Sequence, residues 1–315
     1  MTMTKRHTDG GHTTAGEGRS ERRRRPRKYT LVPVLAAVLT LGISGFTATG
    51  QSVSTLSVGG TYVAMGDSYS SGEGVPDFLP DSKANGCHRS YQAYPRTLAG
   101  TPGFPTNLNF VACSNAVIGD AYNRQHKDQP RQLDALNPGV TAVTMTMGGN
   151  DIQFRYIMEY CVAKIACNLS PELEAATSGL IWWTGPRLER LYRDVLAKAG
   201  NAQVYVLGYP HIFSAHPAIF CSGIEAGEAR WITGKEDALD NQIAQAIKRI
   251  RNPRLHYIDT SGAFQGGELC TKNHTQYVTG LVVDLQNWVY SFHPTADGQR
   301  RLADTVKSAI LSGRL

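Results

Sequence analysis

Thr61-Tyr-Val-Ala-Met-Gly-Asp-Ser-Tyr-Ser-Ser-Gly-Glu-Gly74 is a short apolar run that breaks at Gly66 into a turn of small polar residues. An apolar run of this length bounded by glycine reads as a buried strand, and the glycines let the backbone bend sharply at its end. The same signal recurs at residues 108–112, 140–147, 203–208 and 255–259, so five strands are expected. Helical patterns lie between them: residues 91–98, 129–136, a longer one through Leu188, Leu191, Val195 and Leu196, and 238–250. A last helix begins near Pro294 to Ala296 and carries Leu302, Val306 and Ile310 on one face. Alternating strands and helices predict an α/β fold with a five-stranded parallel sheet covered on both faces. In such sheets ligands bind outside the carboxyl ends of the strands. Chemistry is therefore sought just after each strand.

The chain has 315 residues and a net charge of +6, with 41% hydrophobic and 18% charged residues, which excludes disordered and fibrous classes. All the excess charge sits at the front. Residues 1–50 hold nine Lys and Arg against Asp9, Glu17 and Glu21, and the remainder balances at 23 basic and 23 acidic residues. A neutral domain has no electrostatic footprint for a phosphate backbone, so no nucleic-acid partner is expected. The Arg22–Arg25 run followed by the apolar stretch 31–43 reads as the basic and hydrophobic parts of a signal peptide, cleaved near Ala48-Thr-Gly50. An uncleaved membrane anchor with an extracellular domain is the alternative. The arginine pairs fit a twin-arginine signal loosely, and the export route stays open. Residues 51–315 are expected to form one secreted, monomeric domain.

All six cysteines, Cys87, Cys113, Cys161, Cys167, Cys221 and Cys270, lie in that exported part, with no Cys-x-x-Cys pair of the zinc type. An even count outside the cell favours disulfides, and loop closure favours sequential pairing: 87–113, 161–167 and 221–270.

Three segments carry chemistry. Ser68 stands at the first strand-to-helix turn, where a hydroxyl and a neighbouring N–H are exposed together; it becomes a nucleophile only if a base takes its proton. Gly148-Gly149-Asn150-Asp151 follows the third strand, and its amide side chain is a donor of the kind that stabilises an oxyanion. Ser291-Phe292-His293-Pro294 precedes the last helix and offers an imidazole that titrates near neutral pH. Taken singly, each also reads as a turn, a helix cap or a solvated histidine.

Together, GDS near the mature N-terminus, GGND in mid-chain and a late FHP resemble the GDSL/SGNH hydrolase family in order and spacing, over roughly residues 60–312. The chain is similar to the secreted actinobacterial lipase and esterase branch, which shares the GDSYSSGEG form, the segment with Cys87, Arg89, Ser90, Ala93, Tyr94 and Pro95, and three sequential disulfides. The resemblance implies a flavodoxin-like three-layer α/β/α sandwich and a carboxylic ester hydrolase. It implies Ser68 as nucleophile, His293 as general base, and an oxyanion hole of the Ser68 N–H, the Asn150 side chain and a backbone N–H at Asn115.

Two positions depart from the family pattern. Asn115 stands where glycine is usual; a backbone N–H survives the change, but the added side chain could crowd the hole or demand a positive φ, which asparagine tolerates better than most residues. Tyr290 stands three residues before the histidine, where many members carry aspartate, so the branch's arrangement implies the Ser291 carbonyl as the group that orients His293; Asp284 is the remote carboxylate alternative. No phosphate loop or dinucleotide fingerprint competes, and neither cofactor nor metal is expected. Trp182, Trp183 and Phe154 are read as core packing in preference to an acyl groove. The expected substrate is a lipid or other acyl ester, with transient contact to a lipid surface; a carbohydrate acetyl esterase and a silent binding domain are the alternatives.

Overall fold

The computed structural model describes residues 59–271, 276–284 and 286–313. The signal peptide or anchor expected in residues 1–50 lies outside the described residues.

The strands are β1 (Thr61–Ala64), β2 (Leu108–Phe110), β3 (Val140–Met145), β4 (Gln203–Leu207), a two-residue pair β5 (Phe220–Cys221) and β6 (Ile224–Glu225), and β7 (Leu255–Ile258). The helices are α1 (Ser68–Ser71), α2 (Pro80–Ala84), α3 (Tyr94–Leu98), α4 (Phe154–Ala163), α5 (Pro171–Lys198), α6 (Ala226–Ile250) and α7 (Ala296–Leu311). Five strands form one parallel sheet in the order β2-β1-β3-β4-β7, and β5 and β6 pair separately as an antiparallel ribbon.

Alternation along the strands divides the core in two. Val63, Val143, Met145, Val204 and Val206 pack against Leu188, Leu191 and Val195 of α5 and Leu239 and Ile243 of α6. Tyr62, Ala64, Ala142, Tyr205 and Leu207 face the opposite layer, where Tyr94 and Leu98 of α3 meet Leu302 and Val306 of α7. Each valine, leucine, isoleucine or methionine among them, taken fully out of water, contributes roughly 1.5–3 kcal/mol. The strand order reverses direction between β1 and β3, and at that switch point both strands deliver their loops to the same crevice.

All five sheet strands appear where the sequence placed them. The segment 129–136 is not a full helix but a short 3-10 turn at Gln132–Ala135, ended by Asn137-Pro138, and its Gln132 side chain is turned inward to hold the first strand's exit. Helix α5 starts seventeen residues earlier than its apolar spacing suggested, capped by Ser170. Gly179, Gly185 and Pro186 interrupt its pattern without ending it. The packing expected for Trp182 and Trp183 is corrected: they lie on the outer side of α5, 67% and 60% exposed, where α5's buried stripe does not reach them. Phe154 packs against both core layers and also lines the cleft described below.

Candidate functional site

The turn after β1 is built around Gly66. Its φ of 123° suits glycine, and a Cβ there would lie 2.5 Å from the Thr146 carbonyl oxygen and 2.6 Å from Ser70 Oγ. Gln132 clamps this residue from both sides, accepting from its N–H at 2.7 Å and donating to its carbonyl at 2.9 Å. Asp67 then caps α1 by accepting from the Tyr69 N–H. Its two oxygens also accept from Thr146 Oγ1 at 2.6 Å and Tyr209 Oη at 2.5 Å. Burial pushes the Asp67 carboxyl up to about 6, while these donors hold it down. Ser68 is thus the first residue of a helix pinned to β3 and to the loop after β4.

His293 meets it from the other side. Its Nε2 is 2.8 Å from Ser68 Oγ, and its Nδ1 is 3.0 Å from the Ser291 carbonyl oxygen. A carbonyl only accepts, so Nδ1 carries the proton and Nε2 presents its lone pair to the serine hydroxyl. Burial pushes the imidazole below the usual histidine range, and the Glu73 charge works in the opposite direction. Asp284 does not reach the ring and accepts instead from Gln286 N and Asn287 Nδ2. Tyr69 Oη donates to the Phe292 carbonyl at 2.9 Å, so the nucleophile's own helix holds the histidine loop. Phe292 adopts a φ of 61° there.

Ser68, Asn115 and Asn150 line the same cleft. The backbone N–H groups of Ser68 and Asn115 engage no acceptor among the described residues. Asn115 takes a positive φ, 61°. Asn150 Nδ2 donates one hydrogen to the Ala116 carbonyl at 2.9 Å, which fixes the amide and leaves its second N–H free to point elsewhere. The Cys87–Cys113 disulfide ties the Asn115 loop to the segment after α2, and the Ser114 N–H donates to the Cys87 carbonyl. Arg89 buttresses the same region through Asp81 and Gln129. Disulfides Cys161–Cys167 and Cys221–Cys270 complete the sequential pairing. A cluster of Cys87, Cys113 and His126 offers no thiolate to a metal, because both sulfurs are bonded to each other.

The sequence reading missed Tyr209, which accepts from the Gly149 N–H at 2.9 Å while donating to Asp67. It thereby links the cap of the nucleophile helix to the loop that carries Asn150. Its place directly after β4 was the available signal, since chemistry was sought after every strand. From Ser68 a cleft of about 250 Å³ runs between α4 and residues 288–293, with Ile152, Phe154, Met158, Val162 and Leu281 among its walls. Arg155 lies over the Trp288 ring at 3.7 Å on the same cleft.

A three-layer α/β/α scaffold with a serine–histidine contact at the switch point defines an ester hydrolase layout. Residues 64–301 match the GDSL-like lipase/acylhydrolase family. Lipase 1 of Streptomyces coelicolor is 30% identical over 278 residues, covering 87% of this chain and 95% of that protein. A lipase of Streptomyces rimosus is 31% identical over 240 residues, covering 76% and 82%. Among solved structures, phospholipase A1 from Streptomyces albidoflavus superposes with a TM-score of 0.68 at 33% identity, and the extracellular lipase of Streptomyces rimosus with 0.67 at 30%. Each covers 79% of this chain and 99% of its own. The chain belongs to the GDSL-like lipase/acylhydrolase family and is an ester hydrolase.

Proposed function

We propose that the protein is a secreted lipase or esterase that cleaves acyl esters of medium and long chain through an acyl-enzyme on Ser68. His293 Nε2 takes the serine proton as Oγ attacks the ester carbonyl carbon. The resulting oxyanion is held by the Ser68 and Asn115 N–H groups and by Asn150 Nδ2. The imidazolium then gives its proton to the departing alcohol, and a water molecule activated by the same ring hydrolyses the acyl-enzyme. The Ser291 carbonyl keeps the ring in the tautomer this cycle requires. The Ser68–His293 contact at 2.8 Å is the observation that carries the reading.

The apolar cleft favours a fatty acyl chain over acetyl, because an acetyl group leaves most of such a wall uncovered. Export to an oxidising compartment is supported by the three disulfides and by the charge-then-apolar leader, with residues 51–315 as the single, monomeric catalytic domain. Among the described residues no helix is long and apolar enough to cross a membrane. Hydrolysis rates on 4-nitrophenyl esters from acetyl to palmitoyl, with Ser68→Ala alongside, test this. A preference for longer chains that vanishes in Ser68→Ala is expected; turnover of acetyl esters alone would favour the carbohydrate deacetylase.

A further inference from the structure

Glu73 is a carboxylate 1% exposed at the edge of the active cleft, and nothing in the cycle above uses it. Burying such a group is costly unless it is paired. Its partner is His88, whose Nδ1 lies 2.8 and 2.9 Å from the two carboxylate oxygens and must therefore donate. His88 takes a left-handed backbone, φ 50°, immediately after the disulfide-bonded Cys87, and its ring stacks on Phe78 at 4.5 Å. A non-glycine residue held in that conformation indicates a position fixed by its surroundings. The next residue, Gly74, packs so closely on the histidine loop that an added Cβ would lie 2.9 Å from His293 Cβ. Glu73 is therefore the chain neighbour of a residue packed on the His293 loop, and its side chain and the His293 ring line the same cleft.

We propose that Glu73, held by His88, supplies the negative charge that stabilises the His293 imidazolium, in place of the carboxylate that other members carry next to the histidine. Ser291 orients the ring and Glu73 provides the field, so the two roles of a triad acid are divided between two groups. When the Ser68 proton moves to Nε2, the new positive charge faces a buried negative one in a low-dielectric setting; no proton passes to Glu73. Burial first, and then the Glu73 charge, raise Tyr290 above the usual phenol range. Other groups facing His293 are Tyr69 from α1 and Arg155 from α4, and Arg155 opposes Glu73. Glu73 acts through the ring and not on the ester, as a positioning residue.

The proposal rests on the Ser68–His293 reading and is tested by the pH dependence of kcat/KM for a soluble ester, using the secreted, disulfide-intact protein. Glu73→Gln keeps the shape and removes the charge. Its acid limb is expected to move to lower pH by at least about half a unit, because the imidazole loses a stabilising charge. The plateau kcat should fall about three- to tenfold as the base weakens, and Glu73→Asp should return the limb toward the parent. If Glu73→Gln does not fold, the double variant Glu73→Gln/His88→Gln, an uncharged amide pair, is expected to give the same downward shift. A folded, active neutral variant with the parent's limb and plateau, even one of lowered Tm, would overturn the role assigned to Glu73 while leaving the dyad intact. Ser68→Ala as active as the parent would overturn both.

Discussion

Asn150→Ala removes one of the three donors proposed to hold the oxyanion of the ester. The amide is oriented by its bond to the Ala116 carbonyl, so its second N–H is prepositioned and needs no reorganisation as charge develops. Loss of one such donor costs about 100- to 1,000-fold in kcat, or about 2.7–4 kcal/mol of transition-state stabilisation. KM should move less than threefold, since the ground-state carbonyl is held weakly by the same groups. The Ala116 carbonyl also loses its partner, at a cost of roughly 1 kcal/mol in stability, which predicts a lowered Tm separable from the kinetic effect. Asn150→Asp sharpens the test: the side chain remains similar in size, but a carboxylate presents acceptors to both the Ala116 carbonyl and the oxyanion, so kcat should fall at least as far. Both variants should be compared with the parent by steady-state hydrolysis of a soluble acyl ester. Asn150→Ala with the parent's kcat would refute the assignment of the donor, whatever happened to its Tm.

Tyr209→Phe keeps the ring against Tyr69 but frees the Gly149 N–H and removes a donor from Asp67, so kcat should fall about tenfold with KM little changed; an unaltered kcat would sever this link. Gly74→Ala drives a Cβ against the Pro294 carbonyl and His293 Cβ, displacing the base; circular dichroism should remain native while activity drops at least tenfold, and full activity would show that the loop yields. The Asp240 carboxyl is pushed up to about 8 by burial, so its native form binds a proton more tightly than the unfolded chain does. Its contribution is complete below about pH 4 and is lost as pH rises toward about 8, and Asp240→Asn should flatten the fall in Tm across that window. Parallel Tm–pH curves for the parent and this variant would contradict that assignment.

The sheet could be read from the sequence because its information is local. Each strand is an apolar run closed by glycine or a polar turn, and two of the three motifs follow strand ends by the same rule, while His293 stands just before the last helix. The Ser68–His293 pairing spans 225 residues, yet each half announces itself through its neighbours, Gly66-Asp67 and Pro294. Tyr209 on Asp67, Gln132 on Gly66 and His88 on Glu73 have no such announcement, since a tyrosine or glutamine gains its role only when the fold brings its partner to it. Trp182 and Trp183 failed for the opposite reason: hydrophobicity argues for burial, but which side of a 28-residue helix faces the sheet is decided by Leu188, Leu191 and Val195. At Asn115 the sequence left a crowded hole or a positive φ open, and the backbone takes the positive φ, which a small polar side chain tolerates.

The central claim is that Ser68 is the nucleophile and His293 its base. Incubation with a long-chain alkyl phosphonate followed by peptide mass spectrometry tests it most directly. One phosphonyl adduct on Ser68, formed at least about 1,000-fold more slowly in His293→Ala, is predicted from the loss of the base. A native, ester-hydrolysing protein that stayed unmodified at Ser68, or was modified at another serine, would contradict the account.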